Sequence, residues 1–301
     1  MMGRLMAHLL VAMLWLLHLL PLPLQAAVGW GFGRLLWWLA RGRRRVALTN
    51  LALCFPQWSE AERTRVAREH FGWLGRSLLE RGMLWFASEA RLKRLVQVEG
   101  DVAMAERTGC RVLWLLPHFV GLDFVAPALL LNQSRPVVDI YQRQSNAVLD
   151  ARVKAGRNRF GRTQSHERRE GFRPVMRAIK DGAGFVSAPD MDFGTRESAF
   201  VPFFGVATST LVAPARIAHA LDMTIQPLVV TMLPRGRGYR VRFMAPPPGM
   251  NDADEVAGTA AFNRWLEERI LEQPAQYWWV HRRFKTRPPG EASVYARGGA
   301  R

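Results

Sequence analysis

Val112-Leu113-Trp114-Leu115-Leu116-Pro117-His118-Phe119-Val120-Gly121-Leu122-Asp123 joins an uninterrupted apolar run to a histidine and an acid. The run, with Arg111 before it, reads as a strand buried on both faces, as parallel sheets require. The reactive side chains follow where such a strand should end, and α/β proteins place ligands just beyond the carboxyl ends of their strands. Downstream the pattern alternates. A helix is expected over 124–131, a strand over 136–141, helices over 146–157 and 174–180, and a short strand over 184–188. A helix is expected over 210–221, interrupted early by Pro214. Strands over 224–233 and 239–243 are joined by the turn Pro234-Arg235-Gly236-Arg237-Gly238, and a helix follows over 253–271. Upstream, Ser59 and Glu62 fit a capping box opening a long amphipathic helix to about Phe86, with Val66, Phe71, Leu74, Leu78 and Leu79 on its apolar side. The alternation predicts an α/β fold, a single sheet domain flanked by helices. Three parts are expected: an N-terminal membrane anchor with a basic flank (1–45), the α/β domain (46–288) and a loose tail (289–301).

The anchor rests on residues 5–33, which contain no Asp, Glu, Lys or Arg. A bilayer is spanned by about 20 apolar residues, although Pro21 and Pro23 interrupt this run. Arg4, an apolar stretch and Leu24-Gln25-Ala26-Ala27 also resemble a signal peptide, but the run exceeds a typical signal core. Arg34, Arg41, Arg43, Arg44 and Arg45 follow beside Trp37 and Trp38, a pairing suited to an anionic bilayer surface facing the cytoplasm. The 301-residue chain carries a net charge of +17, so anionic partners are expected. Its two cysteines, Cys54 and Cys110, match no metal spacing and argue against a disulfide framework.

Histidine is the usual general base near neutral pH, and it needs a partner that fixes its tautomer. Asp123 is the candidate partner of His118. On an ideal helix five residues turn about 500°, leaving the two side chains roughly 140° apart. They meet only if the intervening segment is partly non-helical, which Gly121 would ease. The competing reading is a hydrogen-bonded core histidine and a capping aspartate. No G-x-S-x-G nucleophile accompanies the pair. A base without an enzyme nucleophile suits direct attack by a substrate hydroxyl on an acyl thioester. The oxyanion would then need donors: backbone N–H groups, Arg157 or Arg159.

Two further stretches carry chemistry. Asp190-Met191-Asp192-Phe193-Gly194-Thr195-Arg196-Glu197-Ser198 follows a short strand, and its glycine, hydroxyls and guanidinium could form a phosphate-binding turn. The alternative is a polar loop with an internal Asp–Arg pair; two acids without a third ligand make a poor metal site. Tyr277-Trp278-Trp279-Val280-His281-Arg282-Arg283-Phe284-Lys285 interleaves aromatics and cations at the end of a helix. It suits either nucleic acid or a lipid headgroup layer, and the apolar N-terminus favours lipid.

Together these stretches resemble the lipid A biosynthesis acyltransferase family, the late lauroyl and myristoyl transferases, themselves similar to the wider lysophospholipid acyltransferase superfamily. The resemblance covers nearly the whole chain. It includes Arg43-Arg44-Arg45-Val46-Ala47-Leu48-Thr49-Asn50-Leu51, Leu53-Cys54-Phe55-Pro56, Tyr141, Asn146, Leu149-Asp150, Gly156-Arg157-Asn158-Arg159, the 190–205 block and the 281–288 run. It implies an HxxxxD dyad of His118 and Asp123; many late acyltransferases have Glu at the acid position. It implies acyl carrier protein as donor and a hydroxyl of the 3-hydroxyacyl chain of a Kdo-bearing lipid A precursor as acceptor. Both are anionic. It places Arg157, Arg159, Asp190, Asp192, Gly194 and Arg196 at substrate-binding positions. Relatives often have Tyr-Arg where this chain has Tyr141-Gln142, so that arginine does not carry over directly, and Arg143 is its nearest substitute. No metal, dissociable cofactor or nucleic acid is implied. The expected location is the bacterial inner membrane, with the site facing the cytoplasm. The rival readings are the same chemistry on a glycerophospholipid or amino-acid lipid, and a non-enzymatic basic membrane adapter.

Overall fold

In the computed structural model, residues 2–107, 109 and 111–296 are described. Cys110 and the last five residues of the expected tail lie outside them. Three helices come first: α1 (Met2–Leu19), α2 (Leu22–Leu39) and α3 (Arg41–Cys54). The apolar N-terminal run is therefore two helices, broken at Leu20-Pro21, because proline ends one helix and is tolerated at the start of the next. By length and composition α1 can cross a bilayer. Leu5, Met6, Leu9, Leu16 and Leu19 on α1 and Leu24, Leu35, Trp38 and Leu39 on α2 are exposed. Trp37 is instead buried, with Phe71 edge-on and the Arg44 guanidinium 5.2 Å from its ring.

The expected capping box opens α4 (Glu60–Phe86): Ser59 accepts from the Glu62 N–H while Glu62 accepts from the Ser59 N–H at 2.9 Å. Helix α4 packs along α2 through glycines. A Cβ on Gly75 would sit 2.2 Å from the Gly29 carbonyl oxygen and 2.4 Å from the Gly33 nitrogen. Gly29 and Gly33, four apart on α2, thus let the two backbones touch, the small-residue packing seen between membrane helices. On its other side α4 grips the sheet. Arg76 pairs with Glu80 at 2.6 Å and donates to the Leu233 carbonyl at 2.9 Å, and the Tyr239 hydroxyl donates to Glu80.

The remainder alternates: α5 (Glu89–Leu95), β1 (Val96–Gly100), α6 (Met104–Arg107), β2 (Arg111–Leu115), α7 (Val125–Leu130), β3 (Val137–Tyr141), α8 (Ala147–Asn158), β4 (Thr163–Glu167), α9 (Arg173–Lys180), β5 (Gly184–Ser187), β6 (Ser198–Phe203), β7 (Val206–Leu211), α10 (Ala213–Ala220), β8 (Met223–Met232), β9 (Tyr239–Phe243) and α11 (Glu255–Glu272). Seven strands form one sheet in the order β1-β9-β8-β2-β5-β3-β4, parallel except for β8 against β9. The α/β expectation holds. Strand β2 lies inside the sheet, and residues 112–115 are all buried.

The helix expected over 210–221 starts late: residues 210 and 211 instead end strand β7, antiparallel to β6 in a separate hairpin. Phe204 (φ 49°) and Gly205 (φ 75°) make its two-residue turn, the positive φ pair that matches the strand twist. The helix begins later, at Ala213, with Pro214 in its first turn where no donor is lost.

Arg157 of α8 binds Asp139 on one face of β3, whereas Phe172, just before α9, packs on Phe185, whose strand partner Val138 points to the other face. Helix α8 packs with α1 and α4 on one face, whereas α9 covers β3, β4 and β5 on the other.

Candidate active site

His118 and Asp190 meet because β2 and β5 are parallel neighbours in register, Leu115 opposite Ser187. Each side chain lies three residues past its member of that pair. His118 Nδ1 is 2.7 Å from Asp190 Oδ1, and the His118 backbone N–H donates to Asp190 Oδ2 at 2.9 Å. The carboxylate thus grips both ring and main chain. Asp190 is fully buried. Burial alone would raise its carboxyl, but the charge and hydrogen bonds of His118, with Arg283 behind, hold it below the usual carboxylate range. An ionised acceptor on Nδ1 puts the proton there and leaves Nε2 as the basic nitrogen.

Asp123, the acid expected beside His118, lines the same cavity but makes its ion pair elsewhere. After Gly121 the chain makes a 3-10 turn, Leu122–Phe124, which carries Asp123 toward α4, where Arg81 pairs with it. Burial would raise the Asp123 carboxyl too, yet Arg81 and Arg157 outweigh it and hold it low. Asp123 therefore supplies negative charge beside His118, and Asp190 supplies the hydrogen bond. Arg81 was missed in sequence; a cation on a long helix carries no local signal of what it faces.

The histidine loop is held from both sides. The Ser77 hydroxyl of α4 donates to the Val120 carbonyl. Trp278 N–H donates to the His118 carbonyl at 2.9 Å, and Val120 N–H to the Gln276 carbonyl at 2.8 Å. The aromatic–basic run after α11 is thus not a helix end at a lipid surface. It is an irregular strap across the site, with Tyr277, Trp279, Arg283 and Phe284 all buried. Asn50 secures it, donating to the Trp279 carbonyl at 2.8 Å and the His281 carbonyl at 2.7 Å. Arg283 donates to the Ser209 carbonyl at 2.6 Å.

Asp192 is also spent inside the fold. It accepts from Thr286 N–H at 2.6 Å, Thr286 Oγ1 at 2.8 Å and Gly194 N–H at 3.0 Å. Its own N–H donates to His281 Nε2 at 3.1 Å. His281 must be neutral to accept, and burial, reinforced by Arg283, lowers it to about 4. Gly194 (φ 90°) makes the turn that returns the chain to β6. Asp190 and Asp192 are thus both engaged in hydrogen bonds within the fold, while Arg196 is exposed on the same loop. Arg157 and Arg159 part company as well. Arg157 lines the cavity and binds Asp139 at 2.6 Å. Arg159 turns back to the Leu84 and Ala87 carbonyls at the end of α4, which makes it a structural tie.

A cavity of about 290 Å³ opens beside His118 and Asp123. It lies between α4, α7 and α8 and the sheet face. Arg81 and Arg157 stand with the histidine; Leu129, Leu130, Val137, Val153 and Phe160 line the apolar remainder. Val137 and Ile140 both line it, so it follows β3 for about 10 Å at the usual strand rise. Among the described residues no group of three or more His, Cys, Asp and Glu side chains is placed to hold a metal ion.

A buried acid, a histidine and a largely apolar cavity thus lie side by side. The sequence model of the bacterial lipid A biosynthesis acyltransferase family matches residues 1–286, and the chain belongs to that family. It is 33% identical over 292 residues to the lipid A biosynthesis lauroyltransferase of Escherichia coli (strain K12), covering 95% of this chain and 93% of that one. It is 33% identical over 293 residues to the palmitoleoyltransferase of the same strain, covering 95% and 92%. The myristoyltransferase of that strain is 30% identical over 280 residues, covering 91% and 84%.

Proposed function

We propose that this acyltransferase moves a fatty acyl chain from acyl carrier protein to a hydroxyl on the 3-hydroxyacyl chain of a Kdo-bearing lipid A precursor. The observation that carries the reading is the apolar slot opening directly beside the His118–Asp190 pair. The acyl chain lies in the slot, bringing its thioester carbonyl to the histidine. His118 Nε2 takes the proton of the acceptor hydroxyl as its oxygen attacks the carbonyl carbon. Asp190 stabilises the imidazolium so formed. Arg157, which lines the same cavity, supplies positive charge against which the oxyanion develops. Collapse breaks the carbon–sulfur bond, and the departing thiolate takes the proton from His118. No covalent acyl-enzyme and no cofactor is needed.

The exposed apolar faces of α1 and α2 support seating in the inner membrane, with the sheet domain on the cytoplasmic side. Residues 1–45 then serve as anchor, 46–288 as the catalytic unit and 289–301 as a tail. Arg196, exposed on the loop after Asp190, suits the acceptor's anionic groups.

The test weighs the lipid products of detergent-purified protein given acyl carrier protein thioesters of several chain lengths and the precursor, beside His118→Ala. One acyl mass added by wild type and none by the variant is expected. Acylation of a glycerophospholipid in place of the precursor would reassign the acceptor. A His118→Ala protein as active as wild type would end the general-base reading.

A further inference from the structure

The connection from β4 into α9 carries an arginine cluster that the chemistry above does not use. Arg168 and Arg169 follow β4 directly, Arg173 is the first residue of α9, and Arg177 lies one turn on. All four are exposed. Val175, Ala178 and Ile179 bury the opposite side of the helix, which turns Arg173 and Arg177 outward.

This arrangement works against the helix. A cation at the first residue opposes the positive end of the helix dipole, and no acid offsets it in the first turn. Arg173 and Arg177, four apart, repel each other. Among the described residues none of the four pairs with a carboxylate, whereas Arg216, Arg242, Arg269 and Arg287 all do. Glu170, the exposed acid between them, pairs with His166 instead, and cations left without acid partners in one short segment are the footprint of an anionic partner.

Its place says which partner. Arg168 and Arg169 stand at the carboxyl edge of the sheet, the same edge as His118. The Arg168 guanidinium lies 4.9 Å from the Phe193 ring, on the loop that carries Asp190. Yet α9 covers the face away from α1, α4 and α8. A bilayer holding the exposed sides of α1 and α2 is therefore not where this cluster points. We infer that Arg168, Arg169, Arg173 and Arg177 dock the acidic carrier protein that presents the acyl thioester, approaching from solvent while the acceptor arrives from the membrane. This rests on the donor reading given above.

The experiment compares the full-length wild type with the Arg169→Glu/Arg173→Glu/Arg177→Glu variant in detergent. Each is given an acyl carrier protein thioester or the uncharged pantetheine thioester of the same acyl chain. For the variant, KM for the carrier should rise at least tenfold with kcat within twofold. Turnover of the pantetheine thioester should be unchanged, which also reports an intact fold. Wild-type KM for the carrier should climb with salt and the variant's should not. An unchanged carrier KM overturns the inference, and does so equally if the variant loses binding to phosphatidylglycerol vesicles, which would give the cluster to lipid. A wild type that uses the pantetheine thioester but not the carrier overturns the donor reading itself.

Discussion

Asp190 holds His118 twice, through Nδ1 at 2.7 Å and through the backbone N–H at 2.9 Å, although the two residues follow different strands. The double contact fixes the ring's tautomer and the position of its Cα together. Asp190→Asn keeps the shape but removes the charge that stabilises the imidazolium. It should lower kcat by about 10³-fold or more with little change in KM, as loss of the orienting acid does in hydrolytic triads. Asp123→Asn, which alters the field beside the ring and weakens the ion pair to Arg81, should cost about tenfold. Steady-state kinetics of the two purified variants decides between them: near-normal turnover in Asp190→Asn with collapse in Asp123→Asn would restore the HxxxxD pair as the working dyad.

Val137, at the start of β3, lines the slot together with Leu130 and Phe160, at the opposite edge of the sheet from His118. Val137→Phe fills it. Each methylene that no longer fits costs roughly 1–3 kcal/mol of discrimination. The variant should turn over the longest donor used by wild type at least tenfold more slowly while keeping activity on shorter ones. Competition between donors of different length, read by product mass, checks this, and an unaltered preference would place the chain elsewhere.

Where α4 meets α2, Gly75→Val would drive a branched side chain into the Gly29 carbonyl and the Gly33 backbone. Those atoms are main chain and cannot step aside, so the helices must separate. A loss of about 1–3 kcal/mol is expected, seen as a lower Tm of the detergent-solubilised protein. Gly31→Val, whose Cβ meets nothing within 4 Å, is the matched control and should leave Tm nearly unchanged.

Acid should loosen the fold through two histidines. Burial lowers His70 to about 4, against the opposing pull of its contact with the Ala275 carbonyl, and His281 is lowered to about 4 as well. Unfolded, both titrate near 6.5. Between pH 6.5 and 4 the unfolded chain binds more protons, so stability falls as pH falls through that window. Each histidine contributes up to about 1.4 kcal/mol per pH unit. Thermal melts from pH 7.5 to 4.5 should show Tm dropping below pH 6.5, and His281→Asn should flatten part of that drop. A Tm independent of pH there would show that neither ring is buried neutral.

Most of the framework was legible from local pattern. The capping box at Ser59, the buried strand before His118 and the hairpin around residues 234–238 all announce themselves through hydrophobic period and turn chemistry. Strand β4, Thr163-Gln164-Ser165-His166-Glu167, did not, because an edge strand needs no apolar alternation. The β6–β7 hairpin was hidden by the small residues of Thr208-Ser209-Thr210, which are buried under the strap and α11 rather than in the main sheet.

The sequence by itself determined the α/β class, the apolar N-terminal run, the histidine at a strand end and the family to which the chain is similar. These are local or collinear properties, readable from side-chain period and motif. Only the tertiary structure decided which acid holds His118, that Arg157 faces the cavity while Arg159 ties down α4, and that the aromatic–basic run is a buried strap. Each of those depends on strand register or on contacts between segments far apart in the chain. Spacing along the chain ranked Asp123 first, at five residues. Parallel pairing of β2 with β5 brought Asp190 across 72 residues to 2.7 Å.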